Sequence, residues 1–107
     1  MEIDYNKPYI YSTPENIGLK NTDIIAKEWE QILNRNQPLI IDFSNTRYVS
    51  ANGVRILLVT LQKAWTRHQD IGVCHAPDII IKSLKATGFG EVLLDDNLEQ
   101  YKPSKSK

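Results

Sequence analysis

Apolar residues along this chain fall into two rhythms, short unbroken runs and longer stretches with helical spacing. Four runs predict strands: Tyr9–Ser12, Leu39–Phe43, Ile71–Cys74 and the brief Val92–Leu94. They are nearly continuous in apolar character rather than alternating, which is the pattern of strands covered on both faces, as in a mostly parallel sheet. Between them the period changes to that of a helix. After a cap at Thr22 or Asp23, the residues Ile25, Trp29, Ile32 and Leu33 share one face and leave Lys27, Glu28, Glu30 and Gln31 for water, until Pro38 ends the run. A second helix is predicted over about Asn52 to Arg67, with Val54, Leu57, Leu58, Leu61 and Trp65 on the stripe that faces the sheet. A third opens with Pro77 and Asp78 and turns Ile80, Ile81 and Leu84 inward. It stops at Gly88, placing Phe89 against Leu84.

Strands that alternate with helices in this way predict a layered α/β fold, a small mostly parallel (mixed) sheet with helices packed on it. The 107 residues supply one modest core and no second domain. We expect residues 1–101 to form that domain and residues 102–107 to be a flexible lysine-containing tail. The 13 basic and 13 acidic residues cancel, so the chain lacks the field that would gather nucleic acid or anionic lipid, and neither is an expected partner. A single cysteine, Cys74, allows no internal disulfide and fits a reducing compartment. The acidic, polar first residues do not form a signal peptide, and no apolar run nears the roughly 20 residues of a membrane span, so a cytoplasmic location without membrane insertion is expected.

The loop Tyr48-Val49-Ser50-Ala51-Asn52-Gly53-Val54 leads from a short apolar touch straight into the second helix. The first N–H groups of a helix lack internal partners and its dipole adds positive potential, so this spot favours a polar cap, an anion or a phosphorylated side chain. Gly53 would let another backbone come close.

In sequence order the chain has Asp42-Phe43-Ser44, then Ser50-Ala51-Asn52-Gly53, then the apolar run from Val54 to Leu61, and last Ala86-Thr87-Gly88-Phe89. This succession resembles the STAS domain family, in particular the bacterial anti-sigma factor antagonists. Members have a strand ending Asp-Leu-Ser, an Asp-Ser-Ser-Gly at the start of a Leu-rich helix, and a Thr-Gly-hydrophobic turn before the last strand. The resemblance extends from Tyr9 onward and is strongest after the first 35 residues; the order and spacing carry it, not any one motif.

The resemblance implies a non-catalytic module for protein–protein interaction and regulation. In that family a serine kinase that is also the anti-sigma factor phosphorylates the serine just before the glycine, and the unmodified form binds the kinase. Phosphorylation adds roughly −1.5 to −2 of charge and would disrupt such an interface. Here that serine is replaced by Asn52, the family's aspartate by Ser50 and its first serine by Ala51. In one reading Asn52 is a helix cap and the module binds without a phosphorylation switch. In the other, Ser50 or Ser44 has become the phosphoacceptor, although Ser50 could instead hydrogen-bond the loop backbone. The implied partner is a kinase-type anti-sigma factor, and the alternative is the ATPase of a lipid-transport ABC complex, to which stand-alone STAS proteins also bind. A small-ligand domain rests on fold analogy alone. The expected contact residues are Ser50, Ala51, Asn52, Gly53, Val54 and Arg55, joined by Ile56 and Val59, which lie off the core stripe unless both are half-buried at the helix edge.

Catalytic chemistry is not expected. His68 falls at a helix end among polar residues. Cys74 and His75 are adjacent in a strand, so their side chains should point to opposite faces and form no couple. Two histidines and one cysteine show no zinc-ligand spacing, Asp95-Asp96 reads as a solvated turn, and Gly88-Phe89-Gly90 lacks the Lys and Ser/Thr of a phosphate loop. No metal and no cofactor is expected.

Overall fold

A computed structural model describes residues 7–94. The strands are β1 (Tyr9–Ser12), β2 (Asn16–Ile17), β3 (Leu39–Asp42), β4 (Tyr48–Val49) and β5 (Ile71–Cys74); the helices are α1 (Thr22–Asn34), α2 (Ala51–Thr66) and α3 (Asp78–Ala86). A single 3₁₀ turn follows at Gly90–Val92. The main sheet has the order β1-β3-β5, with Ile41 opposite both Tyr11 and Val73, and β2 pairs separately with β4. Each of these pairings is parallel. The fourth predicted strand shrinks to one parallel bridge between Val73 and Leu93, because the 3₁₀ turn takes up its first residue. The two acids Asp95-Asp96 and the lysine tail lie outside the described residues.

Strand alternation sorts the central residues. Leu39, Ile41, Phe43 and Val73 join Trp29, Ile32, Leu57, Leu61, Ile80 and Leu84 in the core beneath the helices. Ile40, Gly72 and Cys74 lie on the other face and are also buried, as the continuous apolar runs require. The side chain of Leu94 lies over Gly72, and a Cβ there would stand 2.4 Å from Leu94 Cδ1 unless that side chain moved. Trp29 is fully enclosed and meets the ring of Tyr11 edge-on at 5.9 Å.

The helix ends follow local chemistry. Gly88, with φ of +84°, closes α3 as the sequence predicts, and the Phe89 N–H donates to the Leu84 carbonyl at 2.8 Å. α2 ends in the same motif with His68 at φ +55° in the glycine position, the Gln69 N–H donating to Ala64 O at 2.8 Å. The first residue of α1 is Thr22 and its cap position is Asn21; Pro77 caps α3 from one position further out than predicted.

The buried arc of α2 differs from the expected stripe. Gly53, Ile56, Leu57, Thr60, Leu61 and Ala64 are buried, whereas Trp65 is 73% exposed and Val54 and Leu58 are half-buried at the margin. Counting large apolar residues misplaces the stripe because the close face uses small or polar ones. Thr60 is tolerated there since its hydroxyl donates to Ile56 O at 2.8 Å. Ile56, at 4% exposure, is therefore core and not docking surface, while Val59 is exposed.

The Tyr11 hydroxyl donates to Glu28 Oε1 at 2.5 Å, and its pKa is raised, first by burial and then by that bond. A tyrosine whose folded pKa exceeds its unfolded one contributes stability below the unfolded value and loses it as pH rises beyond. Tyr11→Phe should cost about 0.5–1.5 kcal/mol in urea unfolding at neutral pH. The gap to the parent should narrow above about pH 10, where an unfolded tyrosine ionises.

Candidate functional site

α1 and α2 lie side by side and run in the same direction. Asn52 reaches Thr22 near their starts, Lys63 pairs with Glu30 at 2.6 Å midway, and Arg67 Nη1 donates to Asn34 Oδ1 at 2.8 Å near their ends. The Lys63 ammonium holds the Glu30 carboxyl below its usual range through this hydrogen bond. Both partners are substantially exposed, so the pair fixes orientation more than it adds stability. The parallel alignment brings two helix N-termini together at one rim of the molecule.

At that rim Ser50, not Asn52, is the cap of α2. Its backbone is extended, its Oγ accepts from the Gly53 N–H at 3.0 Å, and its carbonyl accepts from Val54 N–H at 3.0 Å. The Ser50 N–H donates to Ile17 O at 2.8 Å, tying the turn to β2. Asn52 is half-buried in the first turn and ties α2 to α1: its Nδ2 donates to Thr22 Oγ1 at 2.8 Å, and its Oδ1 accepts from Arg55 Nε, one turn on in α2, at 2.8 Å. An amide suits this place because it both donates and accepts. Thr22 is 1% exposed and its hydroxyl needs such a partner.

Gly53 is fixed by its own chain. A Cβ at this position would lie 2.8 Å from Val49 Cγ1 and 2.9 Å from Ile17 Cγ2, so it is the side chains of β2 and β4, and not a foreign backbone, that come close. Ala51 and Arg55 are exposed, Val54 half-buried and Gly53 buried. The first turn of α2 carries no acidic residue, so Arg55 and the helix dipole act in the same sense at this helix start, while the neighbouring start of α1 carries Asp23 in its first turn. Of the candidate phosphoacceptors, Ser50 is half-buried with its oxygen engaged as cap. Ser44 is exposed, its N–H donating to Asp42 Oδ1 at 2.9 Å.

The sequence reading missed the contribution of the turn before α1. Asn21 Oδ1 accepts from Gly18 N–H at 3.0 Å and its Nδ2 donates to Asn16 O at 2.8 Å, which shapes the turn whose Leu19 is 89% exposed. Tyr48, two residues before Ser50, and Ile24 in the first turn of α1 are also exposed. Asn21 beside Gly18 was the legible signal, as a side-chain-closed turn at a helix start.

A second correction concerns Cys74 and His75. β5 ends at Cys74, and His75 has φ of +54°, so strand alternation does not reach it. The Cys74 Sγ, a His75 ring nitrogen and an Asp42 carboxylate oxygen lie within 4.8 Å of one another.

These features define a class. The chain has a STAS-like α/β fold, with the turn entering its second long helix set at a double helix start. No family model and no curated protein matches the sequence. Among solved structures it is similar to the Bacillus cell fate determinant SpoIIAA in its phosphorylated form, with a TM-score of 0.77 and 12% identity over 92% of this chain and 91% of that one. The unphosphorylated form of SpoIIAA, an anti-sigma factor antagonist, superposes with a TM-score of 0.71 at 12% identity, over 92% and 88% of the two chains. A sulfate transporter family protein from Wolinella succinogenes gives 0.58 at 16% identity, over 86% and 79%. At such identities the likeness establishes the fold. Among the described residues no helix is long and apolar enough to cross a membrane.

Gly53→Ala should destabilise the protein by about 1–3 kcal/mol, since the new methyl meets two branched, packed side chains. Ser50→Ala should cost about 1 kcal/mol through loss of the cap. Urea titrations followed by circular dichroism measure both, and the order of the two effects checks which interaction governs the turn.

Proposed function

We propose that this chain is a non-catalytic regulatory module that binds another protein through the rim at the start of α2, in the manner of an anti-sigma factor antagonist. Its partner in this reading is a serine-kinase-type anti-sigma factor. The observation that carries it is the setting of Asn52. It stands where the resembled pattern has its phosphoacceptor serine, beside exposed Ala51 and Arg55, and is held by bonds to Thr22 and Arg55. An amide takes no phosphoryl group, so docking here is permanently in the unmodified state.

The contact set is Ser50, Ala51, Asn52, Val54 and Arg55 with exposed Tyr48 and Val59; Gly53 shapes the turn from beneath, and Ile56 supports the helix from the core. The start of α2, with Arg55 and no acidic residue in its first turn, suits an acidic group on the partner. The fold, the missing acceptor and the Wolinella neighbour equally support a second reading, a STAS subunit on the ATPase of a lipid-transport ABC complex. A cytoplasmic site of action accompanies both.

Calorimetric titration of the chain with a co-encoded kinase-type anti-sigma factor tests the first reading. Binding is expected with and without ATP, and intact mass should show no phosphate on the parent after incubation with ATP. Asn52→Ser should gain one phosphoryl group and then release the kinase. Absence of binding to the kinase, with an ABC ATPase captured instead, would favour the second reading. A phosphate acquired by the parent at Ser44 or Ser50 would show the switch has moved.

Asn52→Asp separates stability from binding. The carboxylate keeps the Arg55 contact, accepts from a rotated Thr22 hydroxyl and sits at a helix N-terminus, which favours an anion by about 0.3–1 kcal/mol. Unfolding free energy should therefore change by less than about 1 kcal/mol. Affinity for an acidic partner should fall at least about tenfold, a difference of about 1.4 kcal/mol. Unchanged affinity would remove Asn52 from the interface.

A further inference from the structure

The ends of β3 and β5 carry a group of side chains that the docking reading does not use. Asp42 and Cys74 are register partners in the sheet, locked together by the Phe43 N–H donating to Cys74 O at 3.1 Å, and His75 follows directly. Ligand atoms of Asp42, Cys74 and His75 lie within 4.8 Å of one another. Carboxyl ends of parallel strands are where open α/β sheets place their ligands.

We propose that Asp42, Cys74 and His75 form a three-residue site for a divalent cation of the zinc type, with a fourth position open to water or to a group on a partner. A thiolate, an imidazole and a carboxylate are a donor set that zinc accepts, and three protein ligands with one open position are the usual arrangement of a non-structural zinc site. Two unit negative charges from sulfur and carboxylate balance the cation. Binding displaces the thiol proton of Cys74 to solvent, while the histidine contributes a neutral ring nitrogen.

The separations decide feasibility. With bonds of about 2.0–2.3 Å, tetrahedral donors stand roughly 3.5 Å apart, so the widest pair must close by about 1 Å, within the reach of a side-chain rotation. Much of the site is already fixed. The Ser44 N–H holds Asp42 Oδ1, the outer-shell bond that orients a ligating carboxylate, and the Thr13 N–H holds the Asp42 carbonyl at 3.0 Å. The left-handed backbone of His75 brings its ring back toward the sulfur instead of across the sheet. Burial is graded across the three, from Cys74 at 1% exposure through half-buried Asp42 to exposed His75, so the cation would enter from the histidine side.

Cobalt(II) is the probe, used with the full reduced chain. Titration should yield one equivalent of thiolate-to-cobalt charge-transfer absorption and the intense visible bands of four-coordinate cobalt, both removed by zinc. Cys74→Ser should abolish the charge-transfer band. His75→Asn, an exposed change to a residue that also tolerates left-handed backbone, and Asp42→Asn should each weaken binding by about 10-fold to 100-fold or more. His75→Asn keeps the test decisive if Cys74→Ser fails to fold. The weak spectrum of hydrated cobalt with the parent chain would overturn the site. So would a charge-transfer band that both His75→Asn and Asp42→Asn leave at the parent's midpoint, since that marks a thiol acting alone.

Discussion

Parallel pairing is the constraint on which this molecule is built. When neighbouring strands run the same way, each connection must travel back along the sheet, and here α1 and α2 make that return. Their N-termini consequently emerge at the end of the sheet where the strands finish. The Asn52–Thr22 bond, the Lys63–Glu30 pair and the Arg67–Asn34 bond run along the two helices in step and hold them in this alignment. Whatever chemistry the protein performs on other molecules is thereby concentrated at one end. The rim at the two helix starts and the cluster at Asp42, Cys74 and His75 are both built on strand ends and helix starts, and neither could form in an antiparallel arrangement of the same segments.

The close contact of Gly53 with Ile17 and Val49 turns that alignment into a defined surface. It lets α2 begin directly over the small β2–β4 pair, and this brings Ser50 within reach of both Ile17 O and the Gly53 N–H. With Ser50 taking the cap, Asn52 is released from that duty and can reach sideways to α1 and forward to Arg55. One glycine thus determines which of two neighbouring polar residues caps the helix and which bridges to α1 and Arg55.

The layered fold was legible because its signals are local and redundant. Runs such as Leu39–Phe43 and the Gly88-Phe89 helix end state their structure without knowledge of the rest of the chain. Two of the misreadings share a cause, dependence on contacts made at a distance, and the third is a local turn of the backbone. The inner face of α2 is set by the close approach of α1, so Thr60 and Ala64 are buried and Trp65 is not, an outcome that counting large apolar residues cannot give. The cap of α2 is decided by Ile17, 33 positions earlier than Ser50. His75 was assigned to a strand by adjacency, and only its positive φ shows that the strand stops before it. At the rim, the polar turn and the helix start were visible in sequence, but the second helix start beside them was not.

The neutrality of Asn52 has a further physical consequence. A helix start without acidic residues, with Arg55 nearby, is a place where negative charge is favoured. A phosphoserine there would be held by its own chain's field while repelling an acidic partner, so a switch at this position works by exchanging an intermolecular attraction for an intramolecular one. An amide removes the competitor and leaves the field directed outward. The amide is accommodated at no cost to the fold, because the two bonds that Asn52 makes use both ends of it. In the docking reading proposed above, control would lie with the partner's abundance or state, or with a second site on the chain, since residue 52 takes no phosphoryl group.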